Sequence, residues 1–207
     1  MITIIDSGIA NIGSVLAAMR RIGASAEATT DATRVRDAGA LLLPGVGAFA
    51  DGMASLRRHD LIEPVRAAAA EGKPILGICV GMQLLAEVGE EFGEHQGLGL
   101  LPGRVKRLPA GMGRIPNIGW CDVAVKVSAP LFRSVDNGSS FYFVHSYHMV
   151  CATPSDSVGS ISFGEVEITV AVKRANVFGV QFHPEKSQDV GLAVLANFVS
   201  YVTGKLS

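Results

Sequence analysis

Short apolar runs alternate with stretches of helical periodicity through the first hundred residues. Residues 2–5 are apolar except for Thr3 and read as a buried strand. A polar loop, Asp6-Ser7-Gly8-Ile9-Ala10-Asn11, follows. Then Ile12, Val15, Leu16, Met19 and Ile22 recur at helical spacing, and Gly23 is placed to end that helix. Residues 40–43 form a second apolar strand, closed by Pro44-Gly45. Leu56, Leu61, Ile62 and the alanines at 67–70 fall in helical segments, with Gly72 as a stop. Residues 74–78 read as a third strand, and 82–88 as the start of another helix. Alternation of this kind predicts a mostly parallel sheet covered on both faces.

The second half changes character. Residues 97–109 are rich in Gly and Pro. β-Branched and aromatic runs follow at 123–127, 141–150 and 168–172, with Asn137-Gly138 as a turn signal among them. They predict antiparallel hairpins. Residues 178–182 make one more strand, broken by His183-Pro184, and 190–202 carry the periodicity of a closing helix. With no repeat, low-complexity stretch or linker in view, the expectation is one α/β domain over residues 1–207. Its central, mostly parallel sheet would be flanked by helices and extended by antiparallel strands.

Composition narrows the function classes. Of 207 residues, 48% are apolar and 18% charged, too apolar for a disordered chain. Eighteen Lys and Arg against nineteen Asp and Glu leave a net charge of -1. That offers no electrostatic case for nucleic acid or an anionic membrane as partner. The most apolar stretch, residues 74–86, contains Gln83 and falls short of the ~18 residues that span a bilayer. The first residues lack the basic start and apolar stretch of a secretory signal. Cys79, Cys121 and Cys151 form no C-x-x-C pair, so neither a zinc site nor a redox dithiol is suggested. A soluble, cytoplasmic protein with reduced thiols and no metal is expected.

Candidate chemistry centres on Gly77-Ile78-Cys79-Val80-Gly81, between a strand and a helix. The spacing is that of a nucleophile elbow with cysteine in place of serine. A helix N-terminus favours a thiolate there; a small buried hydrophobe is the competing reading of Cys79. The required base and its orienting group are offered by His183 and Glu185, directly after a strand. His59, His95, His145 and His148 lack a carboxylate two residues on. Oxyanion donors are expected from the glycine-bearing Leu43-Pro-Gly-Val-Gly-Ala-Phe49 and from the Val80 N–H. Gly45-x-Gly47-x-x-Ala50 also meets the loose dinucleotide fingerprint, which expects an acidic residue ~20 positions on. Glu63 stands there, but before Pro64 in an alanine-rich helical segment, so nucleotide binding is set aside. Gln83, one helical turn after Cys79, either reaches a substrate at the thiol or faces solvent.

Together these segments resemble the class I (triad) glutamine amidotransferases, a flavodoxin-like fold, and among them the branch serving imidazole glycerol phosphate synthase. The matching blocks are Leu43-Pro-Gly-Val-Gly-Ala-Phe49, Pro74-Ile-Leu-Gly-Ile-Cys-Val-Gly-Met-Gln-Leu-Leu85, Tyr142-Phe-Val-His-Ser-Tyr147 and Gly179-Val-Gln-Phe-His-Pro-Glu-Lys-Ser187. The resemblance implies that Cys79 attacks the side-chain amide of L-glutamine, that His183 moves protons and that Glu185 orients it. Backbone N–H groups of Val46, Gly47 and Val80 would hold the oxyanion. Gly45, Gln83, Ser146 and Tyr147 would bind glutamine. No cofactor is implied. Ammonia would pass to a (β/α)8 cyclase subunit in a heterodimer with lyase activity in histidine biosynthesis, and Trp120 and Lys186 would lie near that partner. By residue type alone Trp120 reads as core packing. Coupling in the family suggests an oxyanion loop that faces the wrong way until the partner is loaded.

Three segments depart from the pattern: Asp6-Ser7-Gly8, Ala10-Asn11 and Ile115-Pro-Asn-Ile-Gly-Trp-Cys121. All fall in partner-facing or tunnel-mouth regions of the family that the chain resembles. A paralogue feeding ammonia to a related synthase, such as one modifying surface sugars, is therefore the alternative. A cysteine peptidase and a non-enzymatic binding subunit are the other classes weighed. A peptidase would need an open cleft, and a fossil site would have lost part of the triad.

Overall fold

The computed structural model describes residues 1–125 and 129–205. Its centre is a parallel set of strands: β1 (Ile2–Ile5), β2 (Ala26–Thr29), β3 (Leu41–Gly45) and β4 (Ile75–Cys79). Helices α1 (Ile12–Arg21), α2 (Ala32–Asp37), α3 (Phe49–Arg58) and α4 (Ile62–Ala70) connect them. After β4 come α5 (Val80–Leu84), β5 (Ala86–Gly89), β6 (His95–Gln96) and β7 (Leu101–Arg107). Then follow β8 (Asn117–Asp122), β9 (Ala124–Val125), β10 (Ser140–His145) and β11 (Tyr147–Cys151). Last are β12 (Ser157–Phe163), β13 (Val166–Arg174), β14 (Val177–Val180) and α6 (Gln188–Val202).

The main sheet runs β2-β1-β3-β4-β14-β13-β11-β7-β5-β6, with β12 and β9 branching from β13. Its first five strands are all parallel, in the 2-1-3-4-5 order of flavodoxin-like sheets. Strands β1, β3, β4 and β14 are buried at every position, as parallel strands covered on both faces must be. Helix α1 packs on α6, and α2 on α4. Right-handed crossovers put these two pairs on opposite faces. Beyond β14 the pairs β14–β13, β13–β11 and β11–β7 are antiparallel, giving the predicted extension, and β5 then joins β7 in parallel.

Local signals explain several boundaries. Asn11 caps α1 by accepting from Ser14 N at 3.2 Å, and Asp31 caps α2 through Thr33 N at 2.7 Å. Gly23, at φ +70°, ends α1, and Gly72, at φ +78°, ends the α4 segment.

Elsewhere distant pairing overrides local preference. The helix expected over 82–88 is only α5; the chain turns into β5 because β7 pairs alongside it. Leu84, Leu85 and Ala86 carbonyls accept from residues 98–101, and Gly97 lets that segment approach, since an added Cβ would overlap the Ala86 carbonyl. The Gly- and Pro-rich stretch holds β7 itself, with Gly103 at a register shift where its N–H donates to Glu87. Pro44-Gly45 does not close β3 but continues it, paired with Ile78 and Cys79. Pairing with β1 has stopped at Leu42, so the N–H that Pro44 lacks is not needed there. The run 141–150 is two strands that never pair with each other. β10 joins β8 in a separate two-stranded sheet, and β11 enters the main sheet. Of the run 123–127, residues 124–125 form β9 and 126–127 lie outside the described residues.

Candidate active site

Three parallel strands end at one place. β3 delivers Gly45 and the loop after it, β4 delivers Cys79, and β14 leads through Gln181 and Phe182 to His183. Cys79 sits at φ 55° and ψ -114°, a strained turn for a residue with a Cβ. Its glycine neighbours make that turn possible. An added Cβ on Gly77 would stand 2.7 Å from the Gly81 carbonyl, and one on Gly81 would overlap the Leu43 carbonyl. Cys79 therefore ends its strand at the start of α5, 3% exposed.

His183 is held from several sides. Its N–H donates to the Tyr142 carbonyl at 2.9 Å, and Ser187 Oγ donates to its carbonyl at 2.6 Å. Phe182 stacks on Phe141 at 4.1 Å and meets Phe132 and Phe143 edge-on. Such contacts are worth ~0.5–1.5 kcal/mol each beyond burial. A 3₁₀ turn, Pro184–Lys186, brings Glu185 back under the ring, with Oε1 2.8 Å from His183 Nδ1. Both side chains are nearly fully buried. The other ring nitrogen, Nε2, makes no hydrogen bond, and His183 lines the same cavity as Cys79. Burial works against a charged ring. Cys79 and Glu185 outweigh it and push His183 up to about 9.

The cavity at the sulfur has a volume of about 240 Å³. Among its walls are Val46, Gly47, Val80, Gln83, Ser146 and Tyr147. Val46 is not a free donor, because its N–H donates to the Ile9 carbonyl at 2.7 Å. Gly47 stands at φ +92°, and Val80, first in α5, has no intrahelical acceptor for its N–H. Gly45 does not line the cavity. It is buried where an added Cβ would meet Gly81 N at 3.0 Å. Gln83 is buried rather than facing solvent, and its amide donates to the Tyr147 carbonyl at 3.0 Å and to Gln181 Oε1 at 2.9 Å. The Ser146 carbonyl is likewise engaged, by Leu108 N.

Trp120 is 49% exposed, so it is not core packing. It stands edge-on to Tyr142 at 6.0 Å, and Lys186 lies 6.0 Å over the same Tyr142 ring. Exposed Ile118 pairs with exposed Val144 across the same two-stranded sheet. The result is an apolar face beside the cavity, since Val144 belongs to both.

Three side chains here were given no role on sequence grounds. Glu91 lines the cavity and accepts from Phe49 N at 2.8 Å, and nothing in its sequence surroundings marks it. Gln181 is fully buried with its amide 3.8 Å from the Cys79 sulfur; a polar residue between Val180 and Phe182 at a buried strand end was the available signal. His145 lines the cavity, and burial lowers it to about 4. It is neutral near pH 7, with Nδ1 donating to the Tyr147 carbonyl at 2.9 Å and Nε2 3.1 Å from Asn117 Nδ2. Among the described residues, no cluster of His, Cys, Asp and Glu is arranged to hold a metal ion. Nor is any helix there long and apolar enough to cross a membrane.

A strand-to-helix cysteine elbow beside a buried His–Glu pair, on a flavodoxin-like sheet, is the arrangement of groups that thiol-dependent acyl transfer needs. Comparison with known proteins makes the class specific. The Glutamine amidotransferase class-I family profile matches residues 3–201. Solved structures agree in fold: PurLQS from Thermotoga maritima has a TM-score of 0.76 at 21% identity, covering 97% of each chain. The glutaminase domain of Trypanosoma brucei CTPS, with bound acivicin, has 0.68 at 17%, covering 96% of this chain and 93% of the other. Among curated relatives, the imidazole glycerol phosphate synthase subunit HisH of Moorella thermoacetica is 48% identical over 95% of this chain and 93% of its own. HisH of Syntrophotalea carbinolica is 45% identical over 96% and 98%. The chain belongs to the class-I glutamine amidotransferases and, within them, to the HisH family.

Proposed function

We propose that this chain is the glutaminase subunit of an imidazole glycerol phosphate synthase. The observation that carries the reading is Cys79 at its elbow, in a cavity it shares with His183, whose ring is held by the buried Glu185. His183 Nε2 takes the Sγ proton, and the thiolate adds to the side-chain amide carbon of glutamine. Charge moves to the amide oxygen, where the Val80 N–H is the donor we assign. His183 returns the proton to the departing nitrogen and ammonia leaves. Water, deprotonated by His183, then opens the thioester and releases glutamate. Glu185 holds the ring and favours its protonated form. Among the residues lining the cavity, Glu91 is the only carboxylate and the partner we assign to the α-ammonium group of glutamine.

A cavity of about 240 Å³ accommodates one amino acid and not an extended peptide, which argues against a peptidase. The kinship with HisH subunits favours histidine biosynthesis over a sugar-modifying paralogue. Ammonia is protonated in water and loses its nucleophilicity, so a sheltered transfer to a (β/α)8 cyclase is required. The face of Ile118, Trp120 and Val144 is the docking surface we assign to that partner, with Lys186 beside it. The bond from Val46 to Ile9 supports a resting oxyanion loop that waits on the partner. The test is glutamate release by the chain alone and with its cognate cyclase plus the phosphoribulosyl ligand, with Cys79→Ala as control. Ligand-dependent stimulation lost in the variant is expected. Activity indifferent to that cyclase refutes the pathway, and no activity in any condition refutes the glutaminase.

A further inference from the structure

We propose that Gln181 is a hydrogen-bond donor to the Cys79 nucleophile, and that Gln83 and the Tyr147 carbonyl fix the direction of its amide. The proposal rests on the glutaminase reading above for what the sulfur does.

Gln181 follows β14, and its backbone N–H is tied to the Val170 carbonyl at 2.8 Å. Its side chain, fully buried, spans from the Cys79 sulfur at 3.8 Å to Gln83 Nε2 at 2.9 Å. Gln83 in turn meets the Tyr147 carbonyl at 3.0 Å. A peptide carbonyl can only accept, so the Gln83 atom that faces it must be the NH₂ group. The same NH₂ faces Gln181, which must then present its oxygen. That leaves the Gln181 NH₂ for the sulfur. Turning Gln83 over would set its oxygen against two acceptors, and turning Gln181 over would set two NH₂ groups against each other, each a costly arrangement in a buried place. His145 Nδ1 donates to the same Tyr147 carbonyl, so the anchor itself is doubly held.

The direction has a chemical consequence. The thiol S–H has an acceptor in the Val144 carbonyl at 4.0 Å, and that contact serves only the protonated sulfur. The Gln181 N–H serves the thiolate, which in this buried position has little water to solvate it. The proton passes from Sγ to His183 Nε2 and the freed electron pair attacks the amide carbon. The Gln181 N–H is not consumed, and its bond weakens as charge moves from sulfur to the oxyanion. Its effect therefore falls on the fraction of thiolate. Other titratable groups bordering this cavity are His183, with Glu185 behind it, His145, Glu91 and Tyr147.

The experiment is the pH dependence of Cys79 alkylation by iodoacetamide in the full chain, without glutamine. Reading the mass of the Cys79 peptide keeps Cys121 and Cys151 out of the signal. Gln181→Met removes the donor at similar size. Gln181→Glu keeps the shape and the oxygen that Gln83 needs, but sets an oxygen against the sulfur. The midpoint should rise by about one pH unit in Gln181→Met, about tenfold less thiolate below it, and further in Gln181→Glu. Gln83→Met, which unlocks the amide, should shift it less in the same direction and carries the test if Gln181→Glu does not fold. A folded Gln181→Met or Gln181→Glu with the wild-type midpoint overturns the proposal, because packing alone is then the role of Gln181. Glutamate release by the wild type, with its cyclase and the phosphoribulosyl ligand present, separates the two readings. Release with unshifted variants overturns the donor and leaves the glutaminase, while shifted variants of a chain that releases no glutamate do the reverse.

Discussion

Acidification should weaken this fold through one buried imidazole. His145 is 6% exposed, at the corner where β10 becomes β11. Burial, helped by His148 and His183, lowers it from 6.5 to about 4, against the pull of its bond to Tyr147. The unfolded chain then binds the proton more tightly than the folded one, so stability rises with pH. This contribution is complete above about pH 6.5 and is lost as pH falls toward 4. Between about pH 7.5 and about pH 5 the loss is about 2 kcal/mol. Protonation also strips Nε2 of its power to accept from Asn117, which loosens β8 beside the cavity. Urea unfolding at the two pH values, for the wild type and for His145→Gln, measures the effect. The difference between the two proteins isolates this site, since the other ionisable groups are shared. His145→Gln should lose about 2 kcal/mol less on acidification. An identical loss in both proteins would refute the reasoning.

Gly81→Ala should fail to fold or lose about 3 kcal/mol or more, seen by thermal unfolding, because its Cβ would overlap the Leu43 carbonyl. Glu185→Gln should lower kcat by about 10²-fold or more, because the partner that fixes the tautomer and favours the charged ring is gone. The pKa of His183 should fall in that variant, and NMR titration of the ring in the wild type and the variant checks it. Trp120→Ala should weaken cyclase binding by about 2 kcal/mol, roughly thirtyfold in Kd by calorimetry, if the exposed apolar face is the docking surface.

Where chemistry depends on short spacing, the residue order was enough. The glycines around Cys79 and the two-residue step from His183 to Glu185 act within one turn each, so their consequences are local. The parallel half was legible for a similar reason, since strands buried on both faces are apolar throughout and stand out between amphipathic helices. What tertiary structure alone decided depends on partners far along the chain. β5 and β7 are strands because each has the other beside it, against the helical look of one and the Gly-Pro content of the other. Trp120 is exposed because β8 and β10 pair outside the main sheet, a choice that residue type does not carry. The surroundings of Cys79 follow the same rule. Glu91, Gln181 and His145 come from three separate segments, and only their approach to Cys79 turns an ordinary carboxylate, amide and imidazole into a site. The Val46 N–H shows the converse. Its glycine-flanked sequence suits an oxyanion donor, yet the Ile9 carbonyl takes it, because a hydrogen bond goes to the acceptor that folding brings within reach.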